Sequence, residues 1–282
     1  MNQGKVITAA ISRVTNGSIQ TREDLLAVEE PLEIRLGFGP ADHRVQKSIL
    51  ITMRTPGNDF ELVAGFLYNE NIIQKPDDIQ NLQHCKDAGR HSNSENIVRV
   101  ELSPEIKVNL KQMERHFYTT SSCGVCGKAS IDAVQVANCP ALPTDAPTVP
   151  IPVIHNLIVQ LQKKQTAFRH TGGLHAAALF DCDGNLQIIR EDVGRHNALD
   201  KLIGTAVYKK MIPLSDGIVL VSGRASFELV QKTLRAGAPM MVAVGAPSSL
   251  AVDLAQTFGL TLIGFLRDAR FNIYAGKERI EC

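Results

Sequence analysis

Two cysteines in a glycine-rich hexapeptide are the residues of this chain best suited to covalent chemistry. Cys123 and Cys126 stand in Ser-Cys-Gly-Val-Cys-Gly, and Lys128 follows directly. The Cys-x-x-Cys spacing brings two sulfurs within reach of each other, and nearby backbone amides with a lysine favour the nucleophilic thiolate. Three functions use this arrangement: dithiol redox exchange, half of a metal site, or a thiol that carries sulfur as a persulfide.

The remaining cysteines help to separate these functions. A structural zinc site needs a second ligand pair, but the other four cysteines are isolated in the sequence: Cys85, Cys139, Cys182 and Cys282. A thioredoxin-like motif lies close to a βαβ unit, whereas here the clear βαβ pattern begins about ninety residues later. We therefore predict no metal site and disfavour a thioredoxin-like role. Two buried structural cysteines are a further alternative, which the flanking glycines and Lys128 also disfavour.

A nucleobase deaminase is a fourth candidate, because its signature pairs H-x-E with a later P-C-x-x-C. The nearest match is His175-Ala176-Ala177. It has alanine in place of the glutamate that shuttles protons, and the Cys-x-x-Cys precedes it rather than following it. Ser122 also replaces the proline. Deaminase activity is therefore excluded, whereas a deaminase-like fold is not.

Two strand-to-helix junctions have the composition of anion-binding loops. Gly223 stands between Ser222 and Arg224, after an apolar strand and before a helix. A glycine there permits close backbone approach, and helix amides can hold a phosphate. The run 245–249 repeats the pattern one unit later, and both junctions fall at the carboxyl ends of predicted parallel strands, where open sheets bind ligands. An ordinary serine-capped helix start is the alternative.

Two polar runs add charge to the same half of the chain. Residues 191–197 hold an acidic pair, an arginine and a histidine just before a predicted helix, which is more than a turn needs. Residues 265–272 follow the last predicted strand and contain two arginines, which suit phosphate or purine contacts. Helix capping and surface ion pairs are the alternatives. The sequence leaves two roles open for His175, either a hydrogen-bonded imidazole in the core or a catalytic imidazole.

The apolar pattern predicts an α/β fold in which these runs are positioned by strands and helices. In the first half we expect strands at 28–36, 48–53 and 97–102, a helix capped by Asp59, and an exposed loop over 81–96. Later we expect helices at 153–164 and 198–209 and strands at 175–180 and 186–190. Beyond residue 217, strands and helices recur about every 22 residues, which indicates βαβ crossovers: strands 217–221, 240–244 and 260–265, helices 226–236 and 248–257.

A proline-rich stretch divides the chain. Five prolines between residues 138 and 152 exclude a helix or a central strand there. We therefore predict an N-terminal lobe over 1–138 that carries the Cys-x-x-Cys loop, a crossing over 139–152, and an α/β cofactor-binding domain over 153–282.

Composition excludes several functional classes. The formal net charge is +1, with 30 basic and 29 acidic residues, so no global field attracts nucleic acid or a membrane surface. The longest uncharged stretch, 236–252, has 17 residues and is interrupted by glycine and proline, so it cannot span a bilayer. No secretion signal is recognised, and the few cysteines do not form a disulfide scaffold. We therefore expect a cytoplasmic protein.

Six motifs in one order carry a family resemblance. They are Arg54-Thr55-Pro56-Gly57, Thr120 to Lys128, Thr171-Gly172-Gly173-Leu174-His175-Ala176-Ala177, Glu191 to Ala198, Ser222-Gly223-Arg224 and Ala246-Pro247-Ser248. Together they resemble the formate dehydrogenase accessory sulfurtransferase family (FdhD), from about Val28 to Tyr274. The resemblance implies a smaller N-terminal α+β lobe followed by a cytidine deaminase-like three-layer α/β/α domain. By fold analogy alone, it also suggests a homodimer.

The resemblance further implies a sulfur carrier. In that family a cysteine desulfurase loads sulfur onto the Cys-x-x-Cys loop. The carrier then passes the sulfur to the bis-molybdopterin guanine dinucleotide molybdenum cofactor before its insertion into apo-formate dehydrogenase. The motif assigns the persulfide to Cys123 and an assisting or second carrier role to Cys126. The molybdenum cofactor is a substrate, so no permanently bound cofactor is expected.

The resemblance also assigns cofactor-binding residues. The family's cofactor segment corresponds to Phe265, Leu266, Arg267, Asp268, Ala269 and Arg270. Local geometry alone adds four neighbours, which are Gly223, Arg224, Arg195 and His196. Two other functions stay open at this point: a non-catalytic cofactor chaperone for apo-formate dehydrogenase, and a dithiol oxidoreductase.

Overall fold

The structure is a computed structural model that describes residues 4–85, 94–108, 142 and 147–281, so Cys123 and Cys126 lie outside the described residues. The described strands are β1 (Val6–Thr15), β2 (Ser18–Ala27), β3 (Glu30–Phe38), β4 (Val45–Arg54), β5 (Ile79–His84), β6 (Ile97–Leu102), β7 (Val149–Pro150), β8 (His175–Phe180), β9 (Leu186–Asp192), β10 (Ile218–Val221), β11 (Met240–Ala243), β12 (Thr261–Arg267), β13 (Arg270–Ala275) and β14 (Ile280–Glu281). The described α-helices are α1 (Asp59–Asn69), α2 (Ile151–Lys164), α3 (Thr166–Thr171), α4 (Arg195–Tyr208), α5 (Phe227–Arg235) and α6 (Ser249–Phe258).

A four-stranded sheet in the order β4-β3-β6-β5 forms the first part of the fold. Leu32, Ile34 and Leu36 alternate along β3 and are fully buried. Helix α1 contributes a second apolar set to the same core, including Leu62 and Val63. The predicted strands and the predicted mixed α/β character of this region are confirmed.

A six-stranded sheet in the order β13-β12-β11-β10-β8-β9 forms the second part. Strands β10, β11 and β12 are parallel, as the βαβ pattern predicted, and the other three join antiparallel. Along β10, Val219 and Val221 point into one core, whereas Ile218 and Leu220 point into a second core on the other face. Helix α2 covers the second core. Burial on both faces explains why these strands are continuous apolar runs.

Helices α1 and α4 join the two parts through a close contact. A Cβ on Gly65 of α1 would overlap the Asp200 carbonyl of α4, and a Cβ on Gly204 would overlap the Glu61 carbonyl. Both positions therefore need glycine so that the helices can approach each other. One core cluster contains residues from before and after the predicted crossing at 139–152. The division into domains stays a prediction.

Several local predictions were wrong. One element was not predicted at all: residues 6–27 form the antiparallel ribbon β1–β2, although the first thirty residues show no strong apolar period. Its tip residues Val14 and Ile19 are 67% and 72% exposed, so no buried face imposes a period on the sequence. Residues 79–84 form β5, although polarity predicted a loop from residue 81. The N-cap of α1 is Asn58 rather than Asp59.

Helix α4 also begins earlier than predicted. It starts at Arg195 rather than Ala198, so Arg195 and His196 lie in its first turn. Among the described helices, none is both long and apolar enough to cross a membrane.

Candidate functional site

The predicted site residues gather at one edge of the six-stranded sheet. Strands β10, β11 and β12 are parallel, so their carboxyl ends meet at the same edge. Strand β8 runs antiparallel to β10, which brings His175, at its start, to that edge. His175 is paired with Asp192 at the end of β9, and α4 begins three residues later. This edge is where open α/β sheets place their ligands.

Backbone hydrogen bonds tie the three strand ends together. The Gly245 N–H donates to the Gly223 carbonyl at 2.9 Å, and the Phe265 N–H donates to the Gly245 carbonyl at 3.1 Å. A Cβ on Gly245 would lie 2.9 Å from the Gly223 oxygen and 3.0 Å from the Arg224 Cα. Gly245 is therefore required for the close packing of the two loops. This is a structural role, whereas the sequence indicated an anion-binding loop at this position.

Gly223 lies against two side chains of the candidate site. A Cβ built on it would lie 3.4 Å from His175 Nδ1 and 3.6 Å from Arg195 Cδ. The Arg195 Nε is buried and has no hydrogen-bond partner among the described residues. Burial and the Arg195 charge lower the pKa of His175, and the carboxylate of Asp192 opposes this shift only in part. His175 is therefore uncharged near neutral pH.

His196 faces the start of helix α5. Its Nε2 lies 3.4 Å from both Ser226 Oγ and Glu228 Oε2. Burial lowers the pKa of His196 to about 4, against the opposing effect of Glu228. Glu228 also pairs with Lys232 at 3.0 Å, and Lys232 pairs with Asp200 at 2.8 Å.

His196, Glu228, Lys232 and Asp200 thus form a ladder of charges whose members alternate between helices α4 and α5. His196 and Asp200 lie one turn apart on α4, and Glu228 and Lys232 lie one turn apart on α5. Burial would lower the pKa of Lys232, but the two carboxylates outweigh that effect and raise it, so this lysine is charged. Glu228 and Lys232 were not among the residues predicted from the sequence. Their spacing of four residues on a predicted helix was the available signal.

The Phe265–Arg270 segment is divided between the site edge and a hairpin. Phe265 is 39% exposed at the strand end, with a left-handed backbone φ of 55°. The side chain of Leu266 is fully buried in the second core. Arg267 donates from Nη1 to the Val244 carbonyl at 2.7 Å, at the end of β11. Asp268 and Ala269 form the exposed turn between β12 and β13.

The remaining predicted residues are exposed arginines. Arg224 lies between β10 and α5, and Arg270 begins β13 opposite Arg267 in the hairpin register. The structure thus brings Gly223, Arg195, His196 and Phe265 to one edge, with Arg224 and Arg267 on the adjoining loops. Asp268 to Arg270 extend beyond it in the hairpin.

A buried cluster of charged residues adjoins this edge, and the sequence did not predict that its members would come together. Asp192 and Lys201 are both fully buried and their charged groups are 2.7 Å apart. The Thr55 N–H donates to Asp192 Oδ2 at 3.1 Å, and Lys201 donates to the Thr55 carbonyl at 2.8 Å. Arg54 forms a two-pronged ion pair with Asp59 at 3.0 and 3.1 Å. The Arg54 to Gly57 motif thus docks on the 191–197 motif.

The edge has the chemistry of a site for anions. Helices α4 and α5 have the N-caps Gly194 and Ser226, and neither forms a side-chain cap hydrogen bond. Their first-turn N–H groups therefore keep hydrogen-bonding capacity, and the helix dipole favours negative charge beside them. Arg195, Arg224 and Arg267 add positive charge around this edge. In the part of the chain that the structure describes, no cluster of three or more His, Cys, Asp or Glu could hold a metal ion.

Comparisons with known proteins place the chain among relatives of one family. Residues 27–281 match the model of the FdhD/NarQ family. The chain is 50% identical over 272 residues to the sulfur carrier protein FdhD of Streptomyces coelicolor, covering 96% of this chain and 94% of that protein. The proteins of the same name from Mycobacterium tuberculosis and Sulfurisphaera tokodaii are 46% and 42% identical, over 277 and 270 residues. These matches cover 96% of this chain in both cases, and 96% and 97% of the relatives.

A solved structure shows the same fold. The crystal structure of "a putative formate dehydrogenase accessory protein" from Desulfotalea psychrophila superimposes with a TM-score of 0.76 at 24% identity, covering 99% of this chain and 100% of that one. The family match spans nearly the whole chain and includes every motif that carried the resemblance. The chain therefore belongs to the FdhD/NarQ family.

Proposed function

We propose that this protein is a sulfur carrier required for formate dehydrogenase activity. It takes persulfide sulfur from a cysteine desulfurase and transfers it to the bis-molybdopterin guanine dinucleotide molybdenum cofactor before insertion into apo-formate dehydrogenase. The observation that carries this proposal is the similarity, across 96% of the chain, to relatives named sulfur carrier protein FdhD. The cytoplasm is the compartment that this chemistry needs, because thiols stay reduced there.

Cys123 is the proposed nucleophile. Its thiolate attacks the terminal sulfur of the desulfurase persulfide, the S–S bond of the donor breaks, and the donor cysteine leaves as a thiolate. The new S–S bond on Cys123 holds the transferred sulfur, and no external oxidant or reductant is consumed. Cys126, three positions along the chain, assists or acts as a second carrier. These roles classify the protein as a sulfurtransferase.

The sheet edge is the proposed site for the nucleotide end of the cofactor. Each guanine dinucleotide carries a pyrophosphate, and the uncapped starts of α4 and α5 with Arg195 nearby suit its charge. Phe265 offers an exposed aromatic ring at the same edge, which suits a purine. Gly223 lies at the same edge in close contact with His175 and Arg195.

A cofactor chaperone without sulfur transfer is the alternative function. The same edge would then bind the guanine dinucleotide and present it to apo-formate dehydrogenase, and the cysteines would only hold structure. The specific feature in its favour is that Arg195, His196 and Gly223 lie together at a helix start, and binding an anion there would not require a thiol.

Intact-mass spectrometry tests the proposal directly. The protein is incubated with cysteine and a cysteine desulfurase, and Cys123→Ser and Cys126→Ser are treated in parallel. We expect a gain of one sulfur atom in the wild type that is removed by reductant and is absent in Cys123→Ser. Cys182→Ser is the matched control, because that thiol is half-buried and bonded to the Asp216 carbonyl at 3.1 Å.

Activation of apo-formate dehydrogenase separates the two functions. The carrier loses activation in Cys123→Ser, whereas a chaperone keeps both cofactor binding and activation. Equal activation by the wild type and Cys123→Ser would overturn the carrier proposal. A sulfur gain that persists in Cys123→Ser and disappears in Cys126→Ser would move the nucleophile to Cys126.

A further inference from the structure

The ring of His196 lies at the proposed ligand edge, and a carboxylate faces its Nε2. It lies in the first turn of α4, next to Arg195, and only 17% of its side chain is exposed. Its Nε2 faces Ser226 and Glu228, each at 3.4 Å. Nδ1 is the second ring nitrogen, and we assign it to the ligand.

Glu228 is itself held in place by the ladder of charges. Lys232 bonds its second oxygen at 3.0 Å and bonds Asp200 at 2.8 Å, and the Asn69 side chain donates to Asp200 at 2.7 Å. Lys232 and Asp200 are both buried. Because the ladder joins α4 to α5 and Asn69 of α1 anchors its far end, the carboxylate of Glu228 is fixed relative to the ring before any ligand arrives.

The protonation state of His196 decides whether the ring can help to bind an anion. A neutral imidazole that donates from Nε2 to Glu228 has a lone pair on Nδ1, which repels a phosphate oxygen. An imidazolium donates from both nitrogens, to Glu228 on one side and to the phosphate on the other. Without ligand the ring is neutral, because burial lowers its pKa to about 4.

We infer that His196 takes up one proton from solvent when an anionic diphosphate ligand binds at this edge, with Glu228 as the counterion already in place. The inference rests on the proposed function, because it takes the guanine diphosphate end of the cofactor as the ligand. The protonated ring then lies between two negative groups. The positive groups that oppose protonation are Arg195 and Lys232, and neutral His175 also faces the ring.

His175 is the competing proton acceptor at the same edge, and its surroundings favour it less. Its nearest carboxylate is Asp192, which accepts from Thr55, Gly194 and Lys201. That carboxylate is therefore already neutralised by the buried lysine. Glu228 pairs with Lys232, and the same lysine pairs with Asp200, so two carboxylates share one ammonium group, and Glu228 is the one that also faces His196.

Isothermal titration calorimetry with GDP-mannose tests the inference. The diphosphate of this probe is a diester and does not titrate between pH 5 and 8, so any proton taken up belongs to the protein. Titrations at pH 6 in two buffers of different ionisation enthalpy give the number of protons. We expect an uptake of roughly 0.5 to 1 proton in the wild type, and an affinity that rises by up to about tenfold per pH unit as the pH falls.

Four variants assign the proton. His196→Gln is expected to abolish the uptake, and Glu228→Gln to reduce it, because the counterion is lost while the side-chain shape is kept. His175→Gln is expected to take up the same number of protons as the wild type. His43→Gln, in the turn between β3 and β4, is a control far from the site and should also leave the uptake unchanged. Circular dichroism of each variant confirms folding before titration.

The outcomes separate this inference from the proposed function. Binding by the wild type without proton uptake, or uptake that disappears in His175→Gln and persists in His196→Gln, would overturn the inference alone. No binding of GDP-mannose by the folded wild type would overturn the assignment of the nucleotide site and the inference with it. Persulfide formation on Cys123 is measured without the nucleotide, so it reports on the sulfur carrier independently.

Discussion

The two halves of the 191–197 run have very different surroundings, although the sequence presents them as one polar motif. In the acidic half, Asp192 is fully buried and accepts hydrogen bonds from Thr55, Gly194 and Lys201. Glu191 accepts from two amides at the start of α3. In the basic half, Arg195 has a buried Nε with no partner among the described residues.

This difference separates residues that hold the fold from residues that are available to a ligand. A carboxylate saturated by donors from three chain segments has no capacity left for chemistry. A guanidinium at a helix start whose Nε has no partner among the described residues retains donor capacity there. Substitutions in the acidic half should therefore change the free energy of unfolding, and substitutions in the basic half should change ligand binding.

Asp192→Asn is expected to have the largest effect on stability. The substitution keeps the size of the side chain but removes the counterion of the fully buried Lys201. Removing one partner of a buried ion pair costs about 3–5 kcal/mol. Urea denaturation at pH 7.5 measures the change in the free energy of unfolding.

The double variant Asp192→Asn with Lys201→Met is the matched control. Methionine fills a similar volume without a charge, so the double variant should be more stable than Asp192→Asn alone. A loss of less than about 1 kcal/mol in the single variant would contradict the structural role of the acidic half.

The sequence could predict the sheet that builds the site but not the cluster that supports it. Strands β10 to β12 are buried on both faces, so their apolar runs were visible, and glycine and serine marked the helix starts. Lys201 gave no such signal, because a lysine in a helix is usually exposed. Its partner Thr55 is 146 residues away in sequence, so only the tertiary fold brings them together. The β1–β2 ribbon was not predicted either. Neither of its faces is continuously buried, so its sequence shows no apolar period.

His196, the second residue of the basic half, should give an intermediate effect on stability that depends on pH. Its pKa falls from 6.5 to about 4 on folding, so below pH 6.5 the unfolded chain binds a proton that the folded chain does not. Stability is therefore unaffected above pH 6.5 and is lost as the pH falls from 6.5 towards 4. At pH 5 the loss is about 2 kcal/mol.

Comparison of the wild type with His196→Gln isolates this contribution. The free energy of unfolding is measured for both proteins at pH 7.5 and pH 5, without ligand. The wild type should lose about 2 kcal/mol more than the variant between these two values. An identical pH dependence for the two proteins would mean that the imidazole is equally easy to protonate in the folded and unfolded states.

Arg195→Met should have the smallest effect on stability and a clear effect on binding. The buried Nε has no partner among the described residues, so the substitution removes no hydrogen bond from that atom, and methionine preserves the apolar part of the side chain. We expect a change in the free energy of unfolding within about 0.5 kcal/mol. Loss of a charged donor to a diphosphate should weaken GDP-mannose binding by about tenfold or more. Arg13→Met, on the exposed ribbon, is the control for charge alone. A loss of more than about 2 kcal/mol in stability at unchanged affinity would place Arg195 with Asp192 as a residue that holds the fold.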